Sequence, residues 1–453
     1  MPLKAVSIFI AIATALSACS ADDSPANPQD PSAAAGPGTD EAATSGVGPT
    51  GQTASPAGMT LPEGFTATLF ADGLPTPRHI AVTDAGRVYV TLRSGLAKFS
   101  ATDEPGGIAG LEDSDGDGVA DITRTFGRPD TDTGITLIDD QLLYSTMTGI
   151  YAFPLGDQIL PSGPEETVVA DMPESDSGHR TKVITFDTEG HLYSQIGSPS
   201  NSCQVEPGTP GSPGLSPCTL LEAHGGVFRY TAAARNQIHS EDGIRFSRGH
   251  RNIVALEWND SAGALFGLMH GRDGLNQLFP DIYTPDQATE IPAEEFHRID
   301  QGDDLGWPYT YWDPIRSERM VSPEYGGDGE TVADVEDVDA PLIAFPSHWA
   351  PNDLVFYDAD QFPGRYRNGA FIAFHGSVNP RREDRGGYSV VFVPMDTSGA
   401  ITGDWEFFAD DFEMTADDGG VAGRPTGLAI GPEGSLYIVD DAGGRIWKVS
   451  YTG

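Results

Sequence analysis

The sequence predicts an all-β protein, a six-bladed β-propeller, from two observations. The first is an internal repeat, in which a polar, often basic entrance leads into a short apolar strand, a turn with Gly, Asp or Asn, and a second apolar strand. The second is composition, because the chain contains 55 Gly and 35 Pro and long helical patterns are absent. Repeated antiparallel units of this kind are typical of propellers. A pair of β-sandwiches is the alternative, but six copies in phase favour a ring.

The six copies give the order of the predicted blades. Their spacing is irregular, at roughly 65 residues, because loops of different length intervene. An additional strand, FTATLF at 65–70, precedes the first copy, and we expect it to pair with RIWKVSY of the last copy and close the ring, which removes open sheet edges. The copies lie at 77–100, 132–155, 179–197, 250–271, 352–377 and 423–451.

The first 58 residues are predicted to lie outside the propeller. Residues 1–19 have one early lysine, an apolar run and then Leu-Ser-Ala-Cys, which indicates a bacterial lipoprotein signal peptide ending at a lipidated Cys19. An ordinary signal peptide with a coincidental cysteine is the alternative. Residues 20–58 are small and polar and are expected to form a disordered tether, so that 59–453 is the propeller domain. The expected location is the bacterial cell envelope, on the periplasmic face of the outer membrane, with membrane contact only through the lipid.

Charge and cysteine content narrow the classes of partner. The formal net charge is −41, with 22 Arg and only 4 Lys, which argues against nucleic acid and anionic membrane surfaces as ligands. The acidity suits either a saline habitat or simple solubility.

Cys203 and Cys218 are expected to form a disulfide because an exported protein meets an oxidising compartment; two free thiols are the alternative.

Cationic residues recur at the entrances of the predicted blades, which face one mouth of the central channel in a propeller. Five of the six entrances carry Arg or His, and on so acidic a chain they predict a local positive site for an anionic ligand. For any single residue, a salt bridge to a neighbouring blade is the alternative. The entrances are Arg78-His79, Thr133-Gly134, His179-Arg180, His250-Arg251-Asn252, His348-Trp349 and Arg424-Pro425.

At these entrances the chain resembles the PQQ-dependent soluble glucose/sorbosone and pyranose dehydrogenases, which are six-bladed propellers. The resemblance covers roughly residues 62–451. It implies that pyrroloquinoline quinone (PQQ), a planar tricarboxylate, and Ca²⁺ bind over the mouth and that an aldose or pyranose is oxidised at C1. The matching stretches include GHRTKVITFDTEGHLYSQIGS (178–198), GHRN (249–252), MHGRDGLNQLFPD (269–281), PAEEFHRIDQGDDLGWPYTYWD (292–313), FIAFHGSVNPR (371–381) and GRPTGLAIGPEGSLYIVDDAGGRIWKV (423–449).

The resemblance implies a role for each matching residue. His179 would be the general base that takes the proton of the sugar C1 hydroxyl while hydride passes to the quinone, and Arg251 would stabilise charge developing on the quinone. A structural hydrogen bond is the alternative role of His179. The carbonyls of Gly271 and Arg272 would bind Ca²⁺, and Arg424 would stack on the cofactor ring. The remaining predicted cofactor-binding residues are Arg180, His250, Asn252 and His348.

A second metal signal is the segment DSDGDGVAD (113–121). Its spacing matches the front of an EF-hand-like calcium loop without the distal glutamate. We expect it to bind Ca²⁺ and to order a loop rather than to take part in catalysis; a solvated acidic turn is the alternative. The oxygen ligands would come from the side chains of Asp113, Asp115, Asp117 and Asp121 and from the carbonyl of Val119.

The predicted reaction needs a sugar substrate and a separate electron acceptor, a cytochrome or a quinone, because the chain has no CxxCH haem motif. Two other functions stay open. A calcium-dependent lactonase on the same ring would need Glu, Asn and Asp around one metal, which the Arg and His entrances fit poorly. A non-catalytic propeller that binds glycans or proteins is the other, since a fold alone does not define function.

Overall fold

Six antiparallel sheets follow one another along the chain and form the six blades of a propeller, which confirms the predicted fold class. The computed structural model describes residues 52–54, 59–94, 105–175, 179–336, 338–376, 386–412 and 423–453. Neighbouring blades cover both faces of each sheet, so the second strands of the blades are buried along almost their whole length. This is why these strands consist of nearly continuous apolar residues rather than alternating ones.

The strands of each blade run from the central channel outwards. Blade 1 consists of Pro77–Val82, Val88–Leu92, Gly107–Glu112 and Ile122–Phe126. Blade 2 consists of Thr131–Ile138, Gln141–Thr146, Ile150–Pro154 and Glu166–Ala170, with Gln237–Ile238 added in parallel at its outer edge. Blade 3 consists of Ile184–Phe186, His191–Ile196, Gly226–Thr231 and Ile244–Arg248.

The second half of the ring repeats this order. Blade 4 consists of Ile253–Asn259, Ala264–Met269, Glu294–Ile299 and Ile343–Phe345. Blade 5 consists of Pro351–Phe356, Ala370–Phe374, Ser389–Val393 and Glu406–Ala409. Blade 6 consists of Pro425–Ile430, Leu436–Asp440, Arg445–Tyr451 and Phe65–Ala71.

The N-terminal strand closes the ring, as predicted from FTATLF. Phe65–Ala71 pairs antiparallel with Arg445–Tyr451, so the last blade takes its outer strand from the start of the domain. The Phe65 ring packs in the core between blades 5 and 6, edge-to-face against Phe362 with ring centroids 4.8 Å apart. The first and last segments of the domain therefore hold each other in place.

Shorter elements lie in the connections. Two further hairpins pair Gln52–Ala54 with Thr60–Pro62 and Thr310–Asp313 with Glu318–Val321. The α-helices described are single turns at His239–Asp242, Leu275–Leu278 and Gln287–Glu290. The 3₁₀ turns lie at Thr219–Glu222, Pro323–Tyr325 and Gly364–Tyr366.

The predicted N-terminal organisation is only partly covered by the structure. Residues 1–19, with Cys19, and most of 20–58 lie outside the described residues. Residues 52–54 differ from the predicted tether, because they form a strand with backbone pairing to Thr60–Pro62. No helix in the described part of the chain is long and apolar enough to cross a membrane.

The hydrophobic core is divided into one cluster between each pair of neighbouring blades. A seventh cluster supports the loops between the second and third strands of blade 4. It buries Leu275 and Ala288, one from each helical turn of this connection, against Tyr311 and Met320 of the adjacent hairpin. These buried side chains therefore fix the backbone of the connection.

Cys203 and Cys218 form the predicted disulfide, at a sequence separation of 15. Both cysteines are buried in the core between blades 3 and 4. Because closing a loop of this length lowers the entropy of the unfolded chain, we expect the variant Cys203→Ser/Cys218→Ser to lose about 3 kcal/mol of unfolding free energy. Denaturant titration of both proteins without reductant measures this difference; equal midpoints and slopes would show that the bond does not stabilise the fold.

Candidate active site

The inner strands are irregular where they enter the channel. In five of the six blades the pairing of the inner strand with the second strand shifts at this end, which is the position of a β-bulge. Bulges re-aim side chains and are frequent beside functional sites. Arg78 and Asn352 lie within two of these shifts and line the cavity described below. The bulges thus turn polar side chains towards the mouth of the channel.

The entrances surround a cavity of ≈ 780 Å³. Among the described residues, four arginines and four histidines line it, together with two carboxylates, Asp273 and Glu294. The predicted positive site at one mouth is therefore present in the structure. The cationic and imidazole lining residues are Arg78, Arg93, Arg251, Arg424, His179, His270, His348 and His375.

The structure brings most of the predicted site residues to this cavity. It does not bring Arg180 or His250 there, and the side chain of Arg272 lies in a buried ion pair with Glu324. The predicted residues that line the cavity are His179, Arg251, Asn252, Gly271, His348 and Arg424.

Arg180 lies between blades and not in the cavity. Its Nε is 3.1 Å from Asp132 Oδ2, and its Nη2 donates to the carbonyl of Ser94. Asp132 is fully buried and is shared with Arg93, whose Nε lies 3.4 Å from it. A buried carboxylate needs such partners. The position of Arg180 therefore differs from the predicted contact with a cofactor, because the arginine neutralises Asp132.

His250 is completely buried behind the entrance of blade 4. Neither of its ring nitrogens has a hydrogen-bond partner within the described ranges. Burial is the main reason that its pKa is lowered to about 3, so the imidazole is neutral. Its position also differs from the predicted cofactor contact, since Arg251 and Asn252 occupy the cavity wall instead.

His179 stands at the entrance of blade 3. Its Nδ1 lies 2.8 Å from the carbonyl oxygen of Ser198, and because a carbonyl only accepts, Nδ1 carries the proton and Nε2 is the basic nitrogen of the neutral ring. Burial and then the charge of Arg251 lower the pKa of His179 to about 3. Gly197 permits this arrangement, because a Cβ there would lie 2.5 Å from the His179 carbonyl and 2.9 Å from Asn252 Oδ1.

A chain of charged groups connects blades 4 and 5 across the cavity. Arg251 Nη2 is 2.5 Å from Asp273 Oδ2, and Asp273 Oδ1 is 3.4 Å from His348 Nδ1. The Nε2 of His348 lies 3.0 Å from the carbonyl of Ala288. Although burial opposes the charged form, the Asp273 carboxylate holds the pKa of His348 above its usual value. Arg251 is further held by Asn201, whose Oδ1 accepts from Arg251 Nε at 3.1 Å.

Arg424 is held differently from the other cavity arginines. Its Nε and Nη2 donate to the carbonyls of His375 and Gly376, both at 2.8 Å, and its guanidinium lies 5.7 Å from the ring centroid of Tyr388. Among the residues that the structure describes, no carboxylate forms an ion pair with it. Its positive charge is therefore available to an anion, in a fixed orientation.

Sequence reasoning did not assign a site role to several lining residues. Arg78 and His375 both contact Asp441, at 2.7 Å from Nη1 and 2.9 Å from Nε2 respectively. His270 Nε2 donates to the carbonyl of Pro351 in blade 5 at 2.6 Å. Arg78 belonged to a recognised entrance, but His270 and His375 follow second strands, and only their presence in the quoted family stretches could have indicated them.

The predicted calcium ligands Gly271 and Arg272 lie in the turn after the second strand of blade 4. The buried carboxylate of Glu294 accepts from the Gly271 amide at 3.0 Å, and the Arg272 guanidinium pairs with Glu324 at 2.5 Å. Both partners fix the backbone of this turn. Carbonyl oxygens are hard ligands of the kind that Ca²⁺ binds.

The predicted calcium loop at 113–121 connects the third and fourth strands of blade 1, at the edge of the ring. Oxygens of Asp113, Asp115 and Asp117 lie within 4.8 Å of one another. Asp121 instead accepts from the amide and hydroxyl of Ser114, at 3.1 and 2.6 Å, and is not part of that group. Calcium binding by this loop stays a prediction.

We expect Ca²⁺ to stabilise blade 1 through this loop. A ligand at a hundredfold excess over its Kd adds about 2.7 kcal/mol to the unfolding free energy. Thermal unfolding with and without Ca²⁺ should therefore show a rise in Tm that the variant Asp115→Asn reduces, whereas Asp140→Asn, in an exposed turn of blade 2, should keep it. An unchanged calcium response in Asp115→Asn would contradict binding by this loop.

The fold and the cavity define a class of protein: a six-bladed propeller with a cationic site at one mouth of its channel. A family model described as TrAA12-like matches residues 59–452, and the chain belongs to this family. The predicted relationship to PQQ-dependent glucose and pyranose dehydrogenases is thereby confirmed at the level of family and fold.

Solved structures share this fold at low sequence identity. The holo form of the pyranose dehydrogenase PQQ domain from Coprinopsis cinerea superposes with a TM-score of 0.68 at 19% identity, over 86% of this chain and 97% of that one. The calcium structure of the Trichoderma reesei carbohydrate-active enzyme of family AA12 gives 0.67 at 20% identity, over 87% and 97%. An uncharacterized protein of Borreliella burgdorferi (strain ATCC 35210) is 23% identical over 404 residues, 87% of this chain and 91% of that protein.

Proposed function

We propose that this protein is a PQQ-dependent dehydrogenase that oxidises an aldose or pyranose at C1. The proposal rests mainly on the cavity, which Arg251 and Arg424 line beside a neutral, half-buried His179. The relatives support it, since the Coprinopsis cinerea domain is a pyranose dehydrogenase with PQQ and a PQQ-bound aldose sugar dehydrogenase of Streptomyces coelicolor shares the fold with a TM-score of 0.52.

The residues present fit a planar tricarboxylate. The described lining residues include four arginines against two carboxylates, so their formal charge is positive, and Arg424 has no ion-pair partner among the described residues. Anions bind best to such charge-assisted donors. Arg424 would lie against the cofactor ring and Arg251 and Asn252 would contact its polar edge, whereas Arg180 and His250 would not touch it. The carbonyls of Gly271 and Arg272 would hold Ca²⁺ at the same site.

The chain's own part in the reaction is proton transfer and orientation. When bound, the quinone supplies a two-electron acceptor for the hydride of C1. His179 Nε2 takes the proton of the C1 hydroxyl, so the C1–O bond becomes a carbonyl and the pyranose leaves as a lactone. The Ser198 carbonyl holds the ring in the tautomer that this step needs. Desolvation and then the charge of Arg251 lower the pKa of His179 and keep it neutral before the step, and Arg251 stabilises negative charge beside it.

Binding of PQQ tests the proposal first. We would titrate PQQ into the purified protein with Ca²⁺ and follow the quinone absorbance. The proposal expects saturable binding at micromolar concentration or tighter. Absence of binding at that concentration would mean that the cavity serves another anion.

The protonation of His179 gives a separate prediction. Its pKa is lowered from 6.5 to about 3, so the imidazole stays neutral when the pH falls from 7 to about 4. NMR titration of the labelled histidine ring signals, with His179 assigned by its loss in His179→Gln, should show no midpoint above pH 4.5. Arg251→Met should move the midpoint upwards, because a neighbouring positive charge disfavours a second one. A midpoint near 6.5 in the unmodified protein would contradict this account of the base.

The other predicted functions have less support. The described residues contain two groups of three potential metal ligands, at 113–117 and 187–191, and neither lines the cavity, which disfavours a lactonase with a side-chain metal site in the channel. A non-catalytic propeller that binds glycans or proteins would bind no PQQ in the titration above.

We further propose that the protein is lipid-anchored through Cys19 in the bacterial cell envelope, on the periplasmic face of the outer membrane. The signal-peptide pattern supports this. Electrons would then pass to a separate cytochrome or quinone. Metabolic labelling with a fatty-acid analogue should modify the native protein but not the Cys19→Ala variant, and an unlabelled native protein would refute the anchor.

A further inference from the structure

The described residues of the cavity wall include four arginines as hydrogen-bond donors and two carboxylates as acceptors. Guanidinium groups donate only, and four of them line the cavity. A sugar hydroxyl both donates and accepts, so every hydroxyl placed in this cavity needs an acceptor for its proton. The acceptors that remain available therefore decide where a polyhydroxylated ring can bind.

Two side-chain acceptors of the wall, Glu294 and Asn252, already accept hydrogen bonds within the protein. Glu294 is buried and accepts from the amides of Gly271 and Ala350, at 3.0 and 3.4 Å. Asn252 Oδ1 lies 3.3 Å from Gln195 Nε2. A ligand hydroxyl would have to compete with these internal bonds.

Asp273 retains acceptor capacity. Its side chain is 65% exposed although Arg251 and His348 each contact one of its oxygens. A carboxylate offers about four lone-pair positions, so about two are left for a ligand. Asp273 and His179 line the same cavity, so the carboxylate and the proposed base face one ligand space.

Two side-chain amides line the cavity next to Asp273 in sequence, and together with Asp273 they form what we call the acceptor edge. Asn276 and Gln277 line the cavity from the helical turn Leu275–Leu278, and within the described chain neither side chain has a hydrogen-bond partner. An amide group accepts and donates, as a hydroxyl does. Carboxylate and amide groups together complement the ring of a sugar.

This edge is held rigidly. The side chain of Asn201 forms two hydrogen bonds with the backbone of Asp273. Asn201 Oδ1 accepts from the Asp273 amide at 2.9 Å, and Asn201 Nδ2 donates to the Asp273 carbonyl at 2.8 Å. Gly274 adopts φ = 73°, which turns the chain directly into the helical turn, and Leu275 is buried in the cluster beneath. Fixed polar groups bind hydroxyls with a smaller entropic cost than mobile ones.

We propose that Asp273, with Asn276 and Gln277, forms the acceptor edge of the sugar subsite and thereby selects polyhydroxylated pyranoses over simple cyclic hemiacetals. This inference rests on the proposed dehydrogenase function. The arginines of the cavity wall bind the anionic cofactor. Asp273, Asn276 and Gln277 accept hydrogen bonds from the sugar hydroxyls other than the reacting one. Asp273 is a specificity-determining residue in this account.

Direct binding tests the inference without turnover. In a His179→Gln background loaded with PQQ and Ca²⁺, calorimetry would compare the Kd of a pyranose with that of 2-hydroxytetrahydropyran, which has the reacting hydroxyl only. The pyranose is whichever of D-glucose, D-galactose, D-mannose and D-xylose reduces the native enzyme. Adding Asp273→Asn should weaken pyranose binding tenfold or more and change the Kd of 2-hydroxytetrahydropyran less than twofold.

Three control variants distinguish a specific effect on pyranose binding from a general loss of structure or charge. Asp300→Asn removes a carboxylate that is 64% exposed and paired with Arg298 away from the cavity, and it should leave both Kd values unchanged. Asn276→Ala and Gln277→Ala should each weaken pyranose binding selectively, which keeps the test valid if Asp273→Asn misfolds. Equal weakening of both ligands, or of neither, would overturn the inference and make Asp273 a counterion of Arg251. If PQQ binds the native protein but none of these sugars reduces it, the proposed function fails, and the inference with it.

Discussion

Replacing His179 with glutamine should lower the rate of sugar-driven reduction of bound PQQ by about 10²- to 10⁴-fold, the usual contribution of a general base. Glutamine is similar in size to histidine, and its amide NH₂ can still donate to the Ser198 carbonyl. It has no basic nitrogen to take the C1 proton. The affinity for PQQ should change little, because the imidazole that is replaced is neutral and all four guanidinium groups of the wall are kept. Anaerobic stopped-flow absorbance of the bound quinone measures the rate.

A matched control lies in the same blade. His191, at the far end of the inner hairpin, bonds Asp187 through Nδ1 at 2.7 Å and does not line the cavity. His191→Gln should therefore keep the native rate. A His179→Gln protein that reduces PQQ within a factor of five of the native rate would assign the base to another residue.

Replacing Arg424 with methionine should raise the Kd of PQQ about 30-fold or more, which corresponds to the loss of about 2 kcal/mol for a desolvated charged contact. Arg424 is the cavity arginine without a described carboxylate partner, so a bound anion is its strongest expected contact. Equilibrium titration by quinone absorbance gives the Kd.

The conservative variant distinguishes charge from shape. Lysine at 424 keeps the charge but cannot bond two carbonyls, those of His375 and Gly376, and present a flat face to the cofactor. Arg424→Lys should therefore bind PQQ more weakly than the native protein but better than Arg424→Met. Arg235→Lys, whose guanidinium pairs with Glu166 on the surface, should bind PQQ normally. Native affinity in Arg424→Met would show that this arginine is not part of the cofactor site.

The fold could be predicted because its information is local and repeated. Each blade repeats a polar entrance, an apolar strand and a turn, and the unpaired strand at 65–70 had a natural partner at the other end of the domain. The disulfide followed from the presence of two cysteines after Cys19. The strand at Gln52–Ala54 could not be foreseen, since its sequence is as polar as the rest of the segment and its pairing is made through the backbone.

The site could be predicted only in part, because neighbouring residues of an extended entrance face opposite sides. His179 and Thr181 line the cavity, whereas Arg180 between them points to the buried Asp132. The sequence marks the entrance but not which neighbour reaches the ligand. The position of Asp273 was harder to predict from the sequence. It lies in a loop of blade 4, and only the folded structure shows that this loop contacts Arg251.

The most direct test of the account is the reduction of bound PQQ by sugars in the absence of oxygen. Protein loaded with PQQ and Ca²⁺ would be mixed with the four aldoses named above, and the oxidised-quinone absorbance would be followed. We expect at least one aldose to bleach this absorbance stoichiometrically and to leave as its lactone, and we expect the PQQ bound to His179→Gln to stay oxidised. Bound PQQ that no aldose reduces, or PQQ that does not bind, would contradict the account.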